Sequence, residues 1–268
     1  MTVTPFEPSA NGHARVTFLG TGTSHGVPMI GCACAVCRSD DPRDQRLRTS
    51  IHVQLPNLSL LVDTATDLRF QALRHAVSRV DAILFTHSHA DHVMGLDEVR
   101  RYNALQAGSI PCYGDAQTIE EIRRTFAYIF APRTPQGGGL PQLELFTVEA
   151  PFTLGGHRIV PVPLLHGRRA ILGYRIGPFA YCTDCSAIPE GSWPLLEGVE
   201  YLVLDALRDR PHPTHFSVSD ALAVVERLAP RRAWFTHIAH DLPHAATCAR
   251  LPEGVELAYD GQTLEFAV

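Results

Sequence analysis

No apolar run in this chain approaches the roughly 20 residues that a membrane-spanning helix needs. Its start carries no basic segment followed by an apolar stretch. Neither an integral membrane protein nor a secreted precursor is expected. Positive charge is also scarce: the formal net charge is -5, which gives no general attraction to nucleic acid. No segment repeats at a fixed period and no linker divides the 268 residues, which excludes repeat arrays. Cysteines number seven, an odd count. Without a leader, that argues against a disulfide framework and for a cytoplasmic protein with free or metal-bound thiols. The hydrophobic fraction of 45% is ordinary for a globular chain, and the length suffices for one large core.

Strand-like and helix-like segments alternate. Strands are expected near 15–19, 51–55, 58–62, 80–85 and 143–148, then near 158–162, 171–176, 179–183, 201–204 and 232–236. Helices are expected near 67–77, 92–106 and 116–129, and over Asp220 to Leu228. Residues 1–13 read as a flexible N-terminal tail and 14–268 as a single α/β domain. The stretch 131–141, rich in proline and glycine, is an internal loop, either a substrate lid or a plain connection.

The densest chemical signal is Thr86-His87-Ser88-His89-Ala90-Asp91-His92. It sits between an apolar strand and a helix start, where side chains converge. Imidazole with carboxylate suits zinc or another divalent first-row metal such as manganese. A second signal is Gly31-Cys32-Ala33-Cys34-Ala35-Val36-Cys37. Cys32, Cys34 and Cys37 can surround one tetrahedral zinc if a fourth ligand arrives from elsewhere, and His240 is the expected one. A redox pair, a disulfide knot and buried free thiols are the competing readings. Cys182 and Cys185 flank Asp184 and read as packed thiols, and Cys112 and Cys248 carry no pattern. The turn from Gly20 to Gly26 misses the dinucleotide fingerprint by one residue, and His25 within it reads as a solvated loop histidine. Arg38, Arg43, Arg46 and Arg48 read as a solvated basic face.

The pattern H-x-H-x-D-H resembles the signature of the metallo-β-lactamase-fold hydrolases. Four further segments resemble family positions in order: Asp63 after an apolar strand, His166 after Val162–Leu165, Asp184 after Tyr181-Cys182-Thr183, and His237 after Trp234-Phe235-Thr236. The resemblance implies a four-layer αβ/βα sandwich. It also implies that His87, His89 and His166 bind one metal, that Asp91, His92 and His237 bind the other, and that Asp184 bridges them. Asp63 would brace the histidine loop. The early cysteines with His240 narrow the resemblance to the phosphoribosyl 1,2-cyclic phosphate phosphodiesterases of the carbon–phosphorus lyase pathway. In that branch they hold a structural zinc, and the loop around Gly20–Gly26 borders the active site.

The activity so implied is cleavage of a small cyclic phosphate or nucleotide-like phosphodiester by metal-hydroxide attack. Two divalent ions, zinc or manganese, lie about 3.5–4 Å apart in such centres. His215 is the expected non-ligand histidine that contacts phosphate or protonates the leaving oxygen, with His212 the competing assignment. With Asp91 and Asp184 it completes the expected catalytic set. The expected partner is a small-molecule phosphodiester; a homodimer is compatible, whereas a membrane is not expected and nucleic acid is disfavoured. Three alternatives share parts of these motifs. They are an RNase Z-like tRNA 3′-processing nuclease, a lactonase or thioester hydrolase, and a non-enzymatic accessory protein of pyrroloquinoline quinone biosynthesis. The first needs an RNA-binding arm and basic surface, and the last lacks the full ligand set.

Overall fold

The computed structural model describes residues 12–131 and 139–268. Most of the expected tail and most of the expected lid lie outside the described residues. His13, assigned to the tail, already begins the first strand, where it pairs with Ala267.

Two seven-stranded sheets stack face to face. The first contains β1 (His13–Gly20), β2 (Ser50–Leu55), β3 (Leu58–Val62), β4 (Ala82–Leu84), β5 (Ile110–Gly114) and β6 (Leu143–Thr147). The second contains β7 (Phe152–Leu154), β8 (His157–His166), β9 (Arg169–Ile176), β10 (Phe179–Cys182), β11 (Tyr201–Asp205), β12 (Arg232–Thr236) and β13 (Val255–Leu257). The last strand, β14 (Thr263–Ala267), returns to pair antiparallel with β1. Each half is an antiparallel meander followed by parallel strands: β3 to β6 run parallel in the first, β10 to β13 in the second. Parallel neighbours need crossovers, and helices lie in all three of them in each half.

Between the sheets, Phe18, Val53, Leu60 and Leu84 meet Tyr174, Tyr181, Val203 and Trp234 in one apolar cluster. The outer face of the first sheet is covered by α1 (Leu68–Arg74), α3 (Arg100–Gln106) and α4 (Ala116–Thr125), through Leu68, Tyr102 and Ile122. On the second sheet, α7 (Val218–Leu228) buries Val218, Ala221 and Val224. Ser217 caps α7 in a reciprocal box with Asp220. The result is the expected four-layer αβ/βα sandwich of the metallo-β-lactamase fold.

Two helices differ from expectation. The run 92–106 is three pieces: α2 (Ala90–Val93), a 3-10 turn over Leu96–Val99, and α3. The carbonyl of His92 accepts from Thr64 N at 2.8 Å, and Gly95 N donates to Thr64 O at 2.9 Å. A Cβ at Gly95 would stand 2.1 Å from Ala65 O, so close backbone packing replaces continued helix there. The run 116–129 breaks at Phe126, which turns its ring into the core between α4 and α5 (Ala127–Phe130).

The basic cluster is also not a uniform solvated face. Arg46 is only 2% exposed. It donates to Ala258 O at 2.6 Å, and its other terminal nitrogen lies 3.4 Å from His244 Nδ1. Arg43 and Arg48 pair with Asp41 and Asp67 at 2.7 and 3.0 Å. Gly20 and Gly22 serve this packing too, since a Cβ on Gly20 would meet Arg48 O at 2.0 Å and one on Gly22 would meet Arg46 Cβ at 2.9 Å. The N-terminal loop is thereby pinned to the C-terminal segment.

Candidate metal-binding active site

The C-terminal ends of the parallel strands, with the end of β8, converge on one edge of the sandwich. Asp63 follows β3, the histidine loop follows β4, Asp184 follows β10, Asp205 ends β11 and His237 follows β12. This is the edge where side chains of open α/β sheets are free to meet. Asp63, Asp184 and His237 hold φ values of 65°, 57° and 59°. Left-handed backbone at three site residues is costly and persists where surrounding contacts over-determine it.

His87, His89 and His166 form one group whose ligand atoms lie within 4.8 Å of one another, and Asp91, His92, Asp184 and His237 form a second. Asp184 joins them. Its Oδ2 is 3.8 Å from His87 Nε2, and its Oδ1 is 3.3 Å from His92 Nε2 and 3.2 Å from His237 Nε2. Asp91 Oδ2 lies 3.4 and 3.5 Å from the same two nitrogens. Donor atoms about 2.0–2.1 Å from a tetrahedral ion stand about 3.4 Å apart, so these spacings fit a metal. The chemistry of the donors agrees. His87 Nε2, His92 Nε2 and His237 Nε2 are buried with no hydrogen-bond partner among the described residues, and buried polar atoms normally have one.

Hydrogen bonds behind the rings set which nitrogen is free. Asp63, fully buried, accepts from Thr86 N and Thr86 Oγ1, each at 2.8 Å, and from His92 Nδ1 at 2.7 Å. Because Thr86 Oγ1 donates to Asp63, it accepts from His87 Nδ1 at 3.0 Å. His166 Nδ1 donates to Thr214 O at 2.8 Å. In their neutral form all three imidazoles therefore turn an unprotonated Nε2 toward the centre, the tautomer that ligates.

Burial pushes the pKa values of His87, His89 and His166 below the ordinary imidazole value, keeping the rings neutral. Burial opposes charge on His92 as well, but Asp184, Asp91 and Asp63 outweigh it and hold its pKa well above the ordinary value. Burial also works against the charges of Asp91 and Asp184, and His92 and His237 overcome it, so both carboxyls are held low. A pocket that favours two carboxylates and draws a proton onto His92 carries excess negative charge, which a divalent cation neutralises.

His215 stands against both groups, with ring centroids 4.7 Å from His166 and 4.7 Å from His237. Its Nδ1 meets Asp205 Oδ2 at 2.7 Å, leaving Nε2 as the free end. Burial pushes the His215 imidazole down and the Asp205 carboxyl up. His212 lies one layer out, 5.1 Å from His215, and joins none of the clusters of potential metal ligands among the described residues.

The second candidate centre assembles Cys32, Cys34, Cys37 and His240. His240 Nδ1 is 3.2, 3.4 and 3.6 Å from the three sulfurs in that order. A tetrahedral zinc with about 2.3 Å sulfur and 2.0 Å nitrogen bonds sets that edge near 3.6 Å, roughly. Cys37 N donates to the Cys34 sulfur at 3.4 Å, which with His240 lowers the Cys34 thiol to about 6. Burial instead pushes Cys37 up to about 11. All seven cysteines are free. Cys182 and Cys185 are buried, and burial raises both thiols, which fits packing and not redox chemistry.

Sequence reasoning missed several members. Asp205 ends an apolar strand just as Asp63 follows one, so the strand-end pattern could have found it. Thr86 and Thr214 act through a hydroxyl and a carbonyl and leave no compositional trace. Arg169 donates to Ser88 Oγ at 2.8 Å and to Glu121 Oε2 at 2.6 Å, and Ser88 also donates to Glu121. That triad fastens the histidine loop to β9 and α4.

The beta-lactamase superfamily domain matches residues 59–238 of this chain. An octanoyltransferase of Porphyromonas gingivalis (strain ATCC BAA-308 / W83) is 34% identical over 252 residues, covering 92% of this chain and 50% of that protein. The chain thus spans about half the length of that curated relative. A crystal structure described as a new diphosphatase from the PhnP family superposes with a TM-score of 0.89 at 44% identity, covering 95% of this chain and 97% of that one. Zn(2+)-bound PqqB from Methylobacterium extorquens has a TM-score of 0.75 at 18% identity, covering 93% and 99%, and shares the fold.

Proposed function

Since this chain belongs to the beta-lactamase superfamily, as a metallo-β-lactamase-fold hydrolase of the PhnP type, we propose that it is a phosphodiesterase. The substrate class is a small cyclic phosphate or a nucleotide-like phosphodiester. The observation that carries this reading is the Asp205–His215 pair, a proton-carrying group set beside two ligand clusters that share Asp184. Likeness to a diphosphatase at 44% identity supports phosphorus as the centre attacked.

In this reading His87, His89 and His166 would hold one divalent cation and Asp91, His92 and His237 another, with Asp184, within reach of both groups, shared between them. Cys32, Cys34, Cys37 and His240 hold a structural zinc. When bound, a cation pair brings the pKa of water toward 7 and offsets charge gathering on a phosphoryl group. The remaining work belongs to side chains. Asp63 and Thr86 hold the ligating rings in their tautomers, and Arg169 with Glu121 steadies the loop that carries them. Asp205 fixes the His215 ring, whose Nε2 holds a proton at the leaving oxygen.

The octanoyltransferase name is carried by a protein twice this length, so a carbonyl-directed activity draws no support from this half alone. Metal-loaded protein is expected to cleave an aryl phosphodiester and phosphoribosyl 1,2-cyclic phosphate, with little action on phosphomonoesters, lactones or β-lactams. Efficient lactone opening without phosphodiester cleavage would overturn the proposal. Accurate maturation of precursor tRNA would replace it with the nuclease.

A further inference from the structure

The outer face of the second sheet carries two arginines side by side. Val160 pairs directly with Arg175 across β8 and β9, and Arg158 stands two residues before Val160. Successive side chains of a strand alternate between the faces of its sheet. Ile159 and Ile176 belong to the core between the sheets, so Arg158, Val160 and Arg175 share the opposite face. There α6 (Trp193–Leu196) packs against them. Arg158, Val160, Arg175, Gly177, Pro194 and Leu195 line a cavity of about 360 Å³, within the usual size of small-ligand pockets.

The two guanidiniums are held differently. Half-buried Arg175 donates from Nε to Gly177 O at 3.0 Å and from Nη1 to Leu195 O and Glu197 O, each at 2.8 Å. Three carbonyls thus fix its plane and leave Nη2 without a hydrogen-bond partner among the described residues. Nη2 is not one of the sealed, orphaned nitrogens of this chain, so solvent reaches it. The exposed Arg158 side chain makes no hydrogen bond to other described residues. Neither arginine has a carboxylate within 4.0 Å among the described residues. Burial and the charge of Arg158 push the Arg175 pKa below its ordinary value, and no acidic group opposes the shift.

Two like charges held together without a counter-charge repel, and a bound anion removes that repulsion. Guanidinium N–H groups match the oxygens of carboxylate and phosphate. A carboxylate neutralises one charge, whereas a phosphomonoester, at about -2 near neutral pH, neutralises both. Val160, Pro194 and Leu195 complete the wall with apolar surface, which suits an apolar body carrying that phosphate. We propose that this cavity binds a small phosphomonoester with an apolar body, its phosphate bridging Arg158 and Nη2 of Arg175. The site is separate from the metal-binding edge, since β8 carries Arg158 near one end and His166 at the other, about 26 Å away along extended chain. Its occupancy is independent of whether the chain cleaves phosphodiesters.

Phenylphosphonate, which has no ester bond to cleave, is the probe, titrated into the metal-loaded full chain and located by backbone amide NMR. The amides of Gly177 and Leu195 report on the cavity, and that of His237 reports on the metal-binding edge. Phenylphosphonate should move Gly177 and Leu195, and benzoate, with a single charge, should bind there more weakly. Arg158→Gln removes a side chain that has no hydrogen bond or ion pair to lose, and the rest of its amide spectrum should be unchanged. The dissociation constant read at Gly177 and Leu195 should rise about 10- to 100-fold in that variant. Arg158→Lys, which keeps the charge and loses the fork, should fall between the two. Absence of shifts at Gly177 and Leu195, or shifts there that are the same in Arg158→Gln, would overturn the site. Benzoate binding as tightly as phenylphosphonate would overturn the phosphomonoester assignment.

Discussion

Replacing Asp63 by Asn changes one atom and should disable one metal position. Asp63 sits at φ 65° with no solvent exposure, and asparagine tolerates left-handed backbone, so the chain path survives. The amide oxygen of Asn can still accept from Thr86 N. The amide nitrogen, placed where Oδ2 was, is a donor 2.7 Å from His92 Nδ1. To accept that bond, His92 must move its own hydrogen to Nε2, the atom that faces Asp91 and Asp184 at 3.4 and 3.3 Å. A protonated Nε2 cannot ligate. Loss of such a bracing partner typically costs about 10–100-fold in metal affinity, which is about 1.4–2.7 kcal/mol. The loss should fall on the position shared by His92 and His237, leaving that of His87, His89 and His166 weakened far less. Competition against a chromophoric chelator would show one site at native affinity and one displaced. Two sites of native affinity in Asp63→Asn would refute the tautomer argument.

His215→Ala should retain all metals and lose roughly 10²–10⁴-fold in rate on a substrate with a poor leaving group, less when nitrophenolate departs, as paired kinetic assays would show. Cys34→Ser should lower bound metal from about three to two per chain by elemental analysis. Because Thr23 N holds Ile238 O at 3.1 Å beside His237, it should also weaken the catalytic site. Stability should respond to His52, whose buried ring meets Ser59 Oγ at 2.7 Å and whose pKa burial lowers to about 4. The unfolded imidazole, at about 6.5, takes up a proton that the folded one resists. Its contribution is therefore complete above pH 6.5 and declines by about 3 kcal/mol as pH falls toward 4. Urea unfolding at several pH values should show a flatter acid limb in His52→Asn, and an unchanged slope would remove His52 as the cause.

Legibility followed the kind of atom that does the work. Side chains that face the centre are written as residue types, so the H-x-H-x-D-H loop and the cysteine triplet announce themselves, and strand-end residues such as Asp184 and His237 appear as polar breaks after apolar runs. The parts that were not legible act through backbone or depend on distance across the fold. Thr214 contributes a carbonyl, available from any residue type, and Asp205 meets His215 only because β11 runs parallel beside β10 and β12. The arginines show the same limit. Arg46 and Arg48 are identical by composition and two positions apart, yet Arg46 is sealed against Ala258 O while Arg48 pairs with Asp67 at 3.0 Å. Period-2 alternation does not govern them, since both lie in the segment before β2 that packs on Gly20 and Gly22. Burial there is set by glycine opposite the chain, because only a missing Cβ lets the two backbones close over the guanidinium. A basic run facing a glycine-rich turn is therefore better read as a pair of interlocked segments than as a solvated surface.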